Sequence, residues 1–459
     1  MKGHVPTPPD LALRIVEKLF EDSPPSEGDR ILYPGFGSNA PFPQAVHEWC
    51  QENNYPVPSG IGVELDPDRI ADAECEVEDL NVELLERDFL DPSIPDELDG
   101  FDYIVGNPPY VPVTRLSDEE KDRYREQFTT AWRRFDLYIL FFEQALGMLE
   151  SDGRVSFVTP EKYAYIESAS NLRELLTEHH IREIHHVKQE WFDGLKTYPA
   201  VTTLDAAEPI GETRIVHRDG SQHTTTLPTD GSSWAPEIRN VDIDLESGVT
   251  LGDITIRISA GLATGRDSLY VQSEDEIAPQ LLEEGWAYPT TSGKQLRTND
   301  GPYSTDYILC PYDERGNLVS EDQFGAYGDW AELHRDELES RSCVKKRNRV
   351  WYDWHEAPPM TEILRPKIVC KDVCKEPEFW AETEGDVIPR HSVYYIVPES
   401  HVELDALLAY LNSEDAVEWI KAHAQKAYTD HYRIQSEVIE DLPVPEEFAD
   451  TVQSSLTNI

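Results

Sequence analysis

Short apolar runs alternate with amphipathic stretches along roughly the first 205 residues. The runs of strand length lie at 30–32, 60–64, 101–105, 154–158 and 184–187. Between them, apolar residues recur at helical spacing in 11–20, 43–52, 66–74 and 138–149. Strands that alternate with helices in this way predict an α/β domain built on a parallel, doubly wound sheet.

The pattern changes in the second half of the chain. Residues 206–245 are rich in Thr, Gly, Ser and Asp, which predicts a β excursion and linker. A further apolar run at 254–258 then opens a region that mixes strands, loops and late helices around 403–424. We therefore expect two domains, residues 1–245 and 246–459, the second of mixed α+β structure.

The composition is strongly acidic. The chain of 459 residues carries 89 acidic and 40 basic side chains, a net charge of −49. Such a charge indicates either a protein that avoids nucleic acid or one adapted to high salt, where the Debye length falls to about 3 Å at 1 M. The acidic residues are spread along the whole chain, which favours salt adaptation. Contacts to DNA would then depend on local basic segments.

Cysteine usage and hydropathy exclude other classes of protein. The six cysteines are scattered, and only Cys370 and Cys374 lie close together, a weak pattern for a metal site. Unpatterned thiols are typical of a reducing cytoplasm. No apolar signal core and no apolar run of membrane-spanning length is present. We expect a cytoplasmic protein without a bound metal or a membrane anchor.

One segment carries a specific chemistry. The apolar strand at 101–105 runs into Asn107-Pro108-Pro109-Tyr110, and loops at the carboxyl ends of such strands bind ligands. The prolines stiffen the loop and leave their carbonyls free to accept hydrogen bonds. The Asn107 amide oxygen and the Pro108 carbonyl are placed to accept from one amino group, and Tyr110 offers a face on which a planar base stacks. The alternative is a proline-rich turn with a surface tyrosine.

This segment and its surroundings resemble the amino-methyltransferases, and within them the N6-adenine DNA methyltransferases of restriction–modification type with the gamma motif order. The resemblance is strongest over residues 5–205. It implies a Rossmann-like, seven-stranded methyltransferase domain and S-adenosylmethionine as cofactor. It also implies catalytic roles for Asn107, Pro108 and Tyr110, with Phe192 stacking on the other face of the target base.

The same resemblance implies a set of cofactor contacts. They fall on Thr7, Pro34, Gly35, Gly37, Glu64, Leu65, Asp88, Phe89, Pro109 and Phe141. Taken singly, these residues have structural alternatives. Glu64 could be a solvated strand end and Asp88 a turn residue. Phe192, the proposed stacking residue, could be a core residue, and Trp191 is its rival for the stacking role.

The first cofactor motif departs from the family pattern. The family has an acidic residue before its Pro, and this chain has Tyr33; Asn39 stands near the position of the final glycine. Because Asn tolerates positive φ, we expect Asn39 to preserve the turn. The lost carboxylate would normally face the cationic end of the cofactor. A pseudo-enzyme that binds DNA without methylating it is therefore an alternative.

The second half of the chain favours DNA as the substrate. The same tetrapeptide occurs in glutamine and RNA methyltransferases, which need no large C-terminal domain. Residues 259–267 resemble the start of a target-recognition domain, and one dense basic segment contributes Lys345, Lys346, Arg347 and Arg349 as candidate phosphate contacts. The alternative for that segment is a solvated basic face. No nuclease motif is apparent, so we expect any cognate restriction endonuclease to be a separate protein. We expect the present protein to be a monomer that modifies double-stranded DNA.

Overall fold

The structure is a computed structural model. It describes residues 6–448 except 99, 189–190, 193–197, 242–244, 246, 298–300, 348, 429–430 and 446–447, and the side chains of Lys346, Arg347 and Tyr428 also lie outside the described part. The chain forms two compact units, Met1–Val241 and Asp242–Ile459.

The first unit is built on one large sheet. Its strands are β1 (Arg30–Pro34), β2 (Ser59–Glu64), β3 (Val82–Glu86), β4 (Phe101–Gly106), β5 (Leu149–Pro160), β6 (His180–His186), β7 (Pro199–Asp205), β8 (Thr213–Val216) and β9 (Gln222–Thr225). In the described residues their order is β3-β2-β1-β4-β5-β7-β6-β8-β9. The first seven of these strands are the predicted seven-stranded methyltransferase sheet, and a β8–β9 hairpin extends it.

Strand β7 departs from the parallel arrangement of its neighbours, because it pairs antiparallel with both β5 and β6. Residues 213–216 and 222–225, in the segment expected to be an excursion and linker, form β8 and β9 of the same sheet.

Helices cover both faces of this sheet. They are α1 (Pro9–Leu19), α2 (Pro41–Asn53), α3 (Pro67–Val77), α4 (Ile94–Glu97), α5 (Asp118–Gln127), α6 (Leu137–Leu146), α7 (Ser170–Thr177) and α8 (Ala235–Arg239). The apolar sides of α1, α2 and α3 enter one core cluster. Helices α6 and α7 enter another, and α6 is so apolar that it is buried along nearly its whole length. Trp234, before α8, is fully buried in that second cluster.

The second unit mixes short helices with small sheets. Its strands are β10 (Thr255–Ala260), β11 (Val271–Ser273), β12 (Ala287–Thr291), β13 (Asp306–Leu309), β14 (Lys367–Lys371), β15 (Val373–Cys374), β16 (Phe379–Glu382), β17 (Ile388–Pro389), β18 (Val393–Pro398), β19 (Gln425–Tyr428) and β20 (His431–Arg433). They form the sheets β10-β18-β14-β16, β11-β13-β12-β17 and β15-β20-β19.

The helices of this unit are short. They are α9 (Asp267–Tyr270), α10 (Pro279–Glu283), α11 (Ala326–Leu333), α12 (Arg335–Glu339), α13 (Ser342–Arg347), α14 (Met360–Ile363), α15 (Leu404–Leu411), α16 (Glu414–His423) and α17 (Ser436–Glu440). The unit therefore has the predicted mixed α+β character. In the part of the chain that the structure describes, no helix has the length and apolarity needed to cross a bilayer, and no group of three His, Cys, Asp or Glu side chains could hold a metal.

Candidate active site

A cavity of about 670 Å³ opens at the carboxyl ends of β1, β2 and β4. Ligands bind at this edge in open α/β sheets, and the volume lies within the range of small-molecule sites. Its walls are formed by Gly35, Val63, Glu64, Leu65, Arg69, Arg87, Asp88, Phe89, Leu90, Asn107, Pro109, Val111, Arg115, Leu116, Glu120, Tyr124, Leu137 and Phe141. The cavity thus brings together most of the cofactor contacts expected from the sequence.

Asn107 follows β4 and is oriented by a residue one hundred positions away. Its Nδ2 donates a hydrogen bond to Thr7 Oγ1 at 3.1 Å, and Thr7 is itself buried. The amide nitrogen is therefore directed at Thr7, which turns the amide oxygen to the other side. Asn107 and Thr7 also line a smaller pocket next to the main cavity, together with Gly37 and Asn39.

Tyr110 anchors the loop to the neighbouring strand. Its hydroxyl donates to the Val158 carbonyl of β5 at 3.2 Å, and its ring meets the Tyr138 ring edge-on, with 6.3 Å between the centroids. Burial raises the pKa of the Tyr110 hydroxyl, which keeps it a neutral donor. The ring is half-buried and held at both ends, so it is a fixed aromatic surface beside Asn107.

Glu64, at the end of β2, connects the two loops at the head of the cavity. Its Oε2 accepts from the Gly37 amide at 2.9 Å, and its Oε1 accepts from the amides of Leu65 and Asp66, both at 3.0 Å. The Arg69 guanidinium lies 3.8 Å from Oε1. The carboxylate is 5% exposed, so the sequence alternative of a solvated strand end does not hold.

The turn after β1 has a different geometry from the one expected. Gly35 and Gly37 have φ of +65° and +76°, values that favour glycine. Asn39 is not among the positive-φ residues of the described chain; Ala40 takes this conformation instead, with φ of +43°. Ala40 occupies the cap position of α2, so the strain falls where the chain turns into the helix.

Tyr33 replaces the carboxylate of the family pattern and lies in the core. It is 3% exposed and packs edge-on against Phe36, with 6.0 Å between the ring centroids. A side-chain carbon at Gly60 would lie 2.8 Å from the Tyr33 ring, so the glycine makes room for it. Tyr33 therefore adds packing under the turn and contributes no charge to the cavity walls.

Aromatic and apolar side chains form the far part of the cavity. Phe89 and Phe141 pack with 4.9 Å between ring centroids, and Leu65 is 49% exposed beside them. Asp88 Oδ1 accepts from the Leu90 amide at 3.0 Å, and Oδ2 lies 3.3 Å from Arg123. An exposed leucine, a carboxylate and two tilted aromatic rings in one cavity fit the adenosine part of S-adenosylmethionine.

One wall of this cavity was not predicted from the sequence. Arg115, Leu116, Glu120 and Tyr124 come from residues 111–124, which include the start of α5. A capping box between Ser117 and Glu120 marks the helix in the sequence, but it does not indicate what the helix covers.

Phe192 and its rival Trp191 are not among the residues that line the cavity. Phe192 is 4% exposed in the core cluster that also holds Val187 and Val201. Trp191 packs at the border of that cluster, with the Arg14 guanidinium 5.4 Å from its ring centroid. The base-stacking role of Phe192 stays a prediction.

The basic segment of the second unit lies around α13. Lys345 is exposed, and Arg349 Nη1 donates to Asp353 Oδ2 at 3.0 Å and to the Trp354 carbonyl at 3.2 Å. The side chains of Lys346 and Arg347 lie outside the described residues. Phosphate contacts by this segment stay a prediction.

The strand order 3-2-1-4-5-7-6 with an antiparallel β7, and a carboxylate at the end of β2, define the fold of the S-adenosylmethionine-dependent methyltransferases. Residues 62–192 match the Eco57I restriction-modification methylase family. The chain is 24% identical to the type II methyltransferase M.PaeR7I of Pseudomonas aeruginosa over 75% of its length, spanning 64% of that protein. It is 27% identical to the type II methyltransferase M.TthHB8I of Thermus thermophilus over 72% of its length, spanning 79% of that protein. The chain is therefore related to the type II methyltransferases of restriction–modification systems.

A solved structure shares the overall fold. The type IIL restriction-modification enzyme MmeI, determined in complex with DNA, superposes with a TM-score of 0.64 at 12% identity. The match covers 98% of this chain and 66% of that one. The present chain thus spans about two thirds of the length of MmeI and of M.PaeR7I.

Proposed function

We propose that this protein is a site-specific DNA methyltransferase that transfers a methyl group from S-adenosylmethionine to N6 of adenine within a restriction–modification system. The observation that carries the proposal is the Asn107-Pro108-Pro109-Tyr110 loop at the rim of the cavity. Its asparagine is oriented by Thr7, and its tyrosine is fixed on β5.

In this proposal, the target adenine leaves the DNA stack at a cost of a few kcal/mol and lies against Tyr110. The Asn107 amide oxygen and the Pro108 carbonyl accept hydrogen bonds from its amino group. These bonds draw the nitrogen lone pair out of conjugation with the ring and fix its direction. Because Thr7 already holds the amide nitrogen, Asn107 needs no reorientation when the base arrives.

S-adenosylmethionine, when bound, supplies an electrophilic methyl group on its sulfonium. Leu65, Phe89 and Phe141 would hold its adenine, and Asp88 would accept from the adenine amino group. Glu64 would accept from a ribose hydroxyl, with Pro34 and Pro109 as neighbouring walls. Three of the lone-pair positions on the Glu64 carboxylate already accept backbone amides, which leaves about one for a ribose hydroxyl. Thr7, Gly35 and Gly37 would surround the methionine end.

The test is methyl transfer by the wild type and the Asn107→Ala variant. Each is incubated in molar KCl with labelled cofactor and duplex DNA, and the digested nucleosides are analysed by mass spectrometry. We expect N6-methyladenine from the wild type and a loss of at least about 100-fold in the variant, the scale for removing one preorganised polar group. Asn53→Ala, at the far end of α2, is the control and retains activity. Activity of Asn107→Ala near the wild-type rate would refute the acceptor pocket.

Parallel incubations with RNA and with protein separate the alternatives. Label in a glutamine side chain or in RNA, with none in DNA, would identify one of the other methyltransferases that use the same tetrapeptide. DNA binding without calorimetric binding of the cofactor would identify a pseudo-methyltransferase, in line with the missing carboxylate at Tyr33.

The proposal also covers DNA recognition, the partner endonuclease, and the cellular location and oligomeric state of the protein. The second unit, with Lys345, Lys346, Arg347 and Arg349, recognises double-stranded DNA, and a separate endonuclease cuts unmodified sites. The protein acts in the cytoplasm as a monomer, and its acidic surface is an adaptation to high salt. Sequencing of methylated DNA from a host that expresses the protein would give the recognition site.

A further inference from the structure

A second pocket of about 340 Å³ lies in the first unit, away from the cofactor cavity. Four parts of the chain form it: helix α1, the end of β6 with the residues that follow, Val201 of β7, and the turn between β8 and β9. The hairpin beyond the seven-stranded sheet therefore contributes one of its walls.

The pocket is basic in a chain that is acidic elsewhere. Among the described residues that line it, Arg14, Lys18, Lys188 and Arg218 are cationic, and Asp219 is the one carboxylate. The histidines His185, His186 and His217 also line it. Asp219 accepts from the amide and the hydroxyl of Ser221, which hold its carboxylate in the turn. The local excess of cations contrasts with the net charge of −49.

Two of these cations are already engaged. Lys18 lies 3.2 Å from Glu21 and 3.6 Å from Glu183, and Arg218 pairs with the buried Glu161. These ion pairs fix the position of the two side chains on the walls. Arg218 also lies over the Tyr198 ring, 4.8 Å from its centroid.

Arg14 and Lys188 are exposed, and neither forms an ion pair within the described residues. For Arg14 this is unexpected, because Asp10 and Glu17 lie one helical turn away on α1, at spacings that favour pairing. Its guanidinium instead lies over the Trp191 ring. The arginine is therefore directed to the pocket side of α1, and its charge is available to an anion.

The pocket is connected to the catalytic loop by a single strand. Tyr110 binds the carbonyl of Val158, and three residues later Glu161 holds Arg218 and lies 3.6 Å from His186. Three residues of extended strand span roughly 10 Å. This is the rise of about three base pairs of duplex DNA, so the pocket lies at a distance from Val158 that the phosphates flanking a base at the catalytic loop can span.

We propose that this pocket binds the phosphodiester backbone of the DNA substrate, with Arg14 and Lys188 as the contacting cations and Lys18 and Arg218 as fixed walls. The inference rests on the proposed function and deepens it, because it assigns backbone contacts to the methyltransferase unit. It also gives the β8–β9 hairpin a role in placing the strand.

The test measures duplex DNA binding by fluorescence anisotropy over a series of KCl concentrations. The double variant Arg14→Gln with Lys188→Gln removes two exposed charges. Each lost phosphate contact reduces the slope of log K against log salt by about 0.9, so the double variant should show a slope smaller by about 1.8. Cofactor binding by calorimetry should stay at the wild-type value, which shows that the unit is folded.

The matched control is Arg30→Gln with Arg182→Gln. Both arginines lie near the amino ends of their strands, β1 and β6, at the opposite edge of the sheet, and their loss removes the same charge. Its slope should equal that of the wild type. Lys188→Gln and Arg14→Gln, measured singly, should each reduce the slope by about 0.9; a loss confined to one of them would assign the contact to that side chain alone.

Several outcomes would overturn the inference. An unchanged slope in the double variant, with DNA still bound and methylated, refutes the pocket and leaves the proposed function intact. If the wild type binds inorganic phosphate and the double variant does not, while the salt slope of DNA binding is the same in both, the pocket is a site for free anions and not for DNA. A wild type that transfers no methyl group to DNA and does not bind it refutes the proposed function together with the inference.

Discussion

The Glu64 carboxylate accepts hydrogen bonds from three backbone amides, so the effect of replacing it can be predicted. Two of its partners, Leu65 and Asp66, open the loop after β2, and the third, Gly37, lies in the turn after β1. Glu64→Gln keeps the shape of the side chain and removes its charge. The amide oxygen can serve the two donors at Oε1, and the new NH2 group then faces the Gly37 amide, where donor meets donor.

The magnitude follows from these three bonds. A hydrogen bond to a charged group contributes about 1.5–3 kcal/mol, and charge-assisted bonds are about twice as strong as neutral ones. One bond is lost and two are weakened in a buried site, so we expect the free energy of unfolding of the first unit to fall by about 3 kcal/mol. For a unit of this size that corresponds to a melting temperature lower by roughly 6–12 °C.

The assay is thermal unfolding combined with hydrogen–deuterium exchange at the Gly37 amide, which should exchange faster in Glu64→Gln. Glu86→Gln is the control, because Glu86 lies directly opposite Glu64 in the β2–β3 register and is exposed. The control should differ from the wild type by less than about 0.5 kcal/mol. Protection of Gly37 at the wild-type level in Glu64→Gln would show that the carboxylate does not hold the turn.

Three further predictions test local features. Thr7→Val removes the acceptor for the Asn107 amide and should lower kcat by about 5- to 10-fold, roughly 1 kcal/mol, whereas Thr7→Ser restores the rate; equal rates in all three proteins would exclude the positioning role. Ala40→Gly relieves a left-handed φ of +43° and should raise the free energy of unfolding, measured by urea titration, by about 1 kcal/mol. The control Ala45→Gly, inside α2, should lower the free energy of unfolding by a similar amount. The melting temperature should rise from low to molar KCl, because salt screens the repulsion within a chain of charge −49; a flat profile would contradict salt adaptation.

The strands found from the sequence were those with continuous apolar runs. Two strands of the seven were missed, for different physical reasons. In β3 the residues Val82–Glu86 form an edge strand, and its half-exposed positions interrupt the apolar pattern. In β7 the buried positions of Pro199–Asp205 include small and polar residues such as Thr202 and Thr203, whose hydroxyls bond to Tyr163 and Ser156 in the core.

The site could be predicted as far as its residues belong to contiguous motifs. The loop at Asn107 and the carboxylates Glu64 and Asp88 each follow a strand, and the topology then brings their ends to one cavity. The contact between Thr7 and Asn107 could not be predicted, because it joins residues one hundred positions apart. The same holds for Arg123, whose contact with Asp88 depends on how α5 folds over the cavity.

The acidic composition and the basic pocket are compatible if few phosphates are contacted. Each phosphate contact makes the DNA-binding constant fall as about the 0.9 power of the salt concentration. A tenfold rise in salt therefore lowers the binding constant by about 60-fold for two contacts and by about ten-million-fold for eight. A protein that binds DNA in molar salt therefore gains little from a large basic surface. It gains more from stacking, the role proposed for Tyr110, and from bidentate hydrogen bonds of arginine, which depend on geometry as well as charge. A small pocket with Arg14 over an aromatic ring, inside a surface rich in carboxylates, is the arrangement that this reasoning favours.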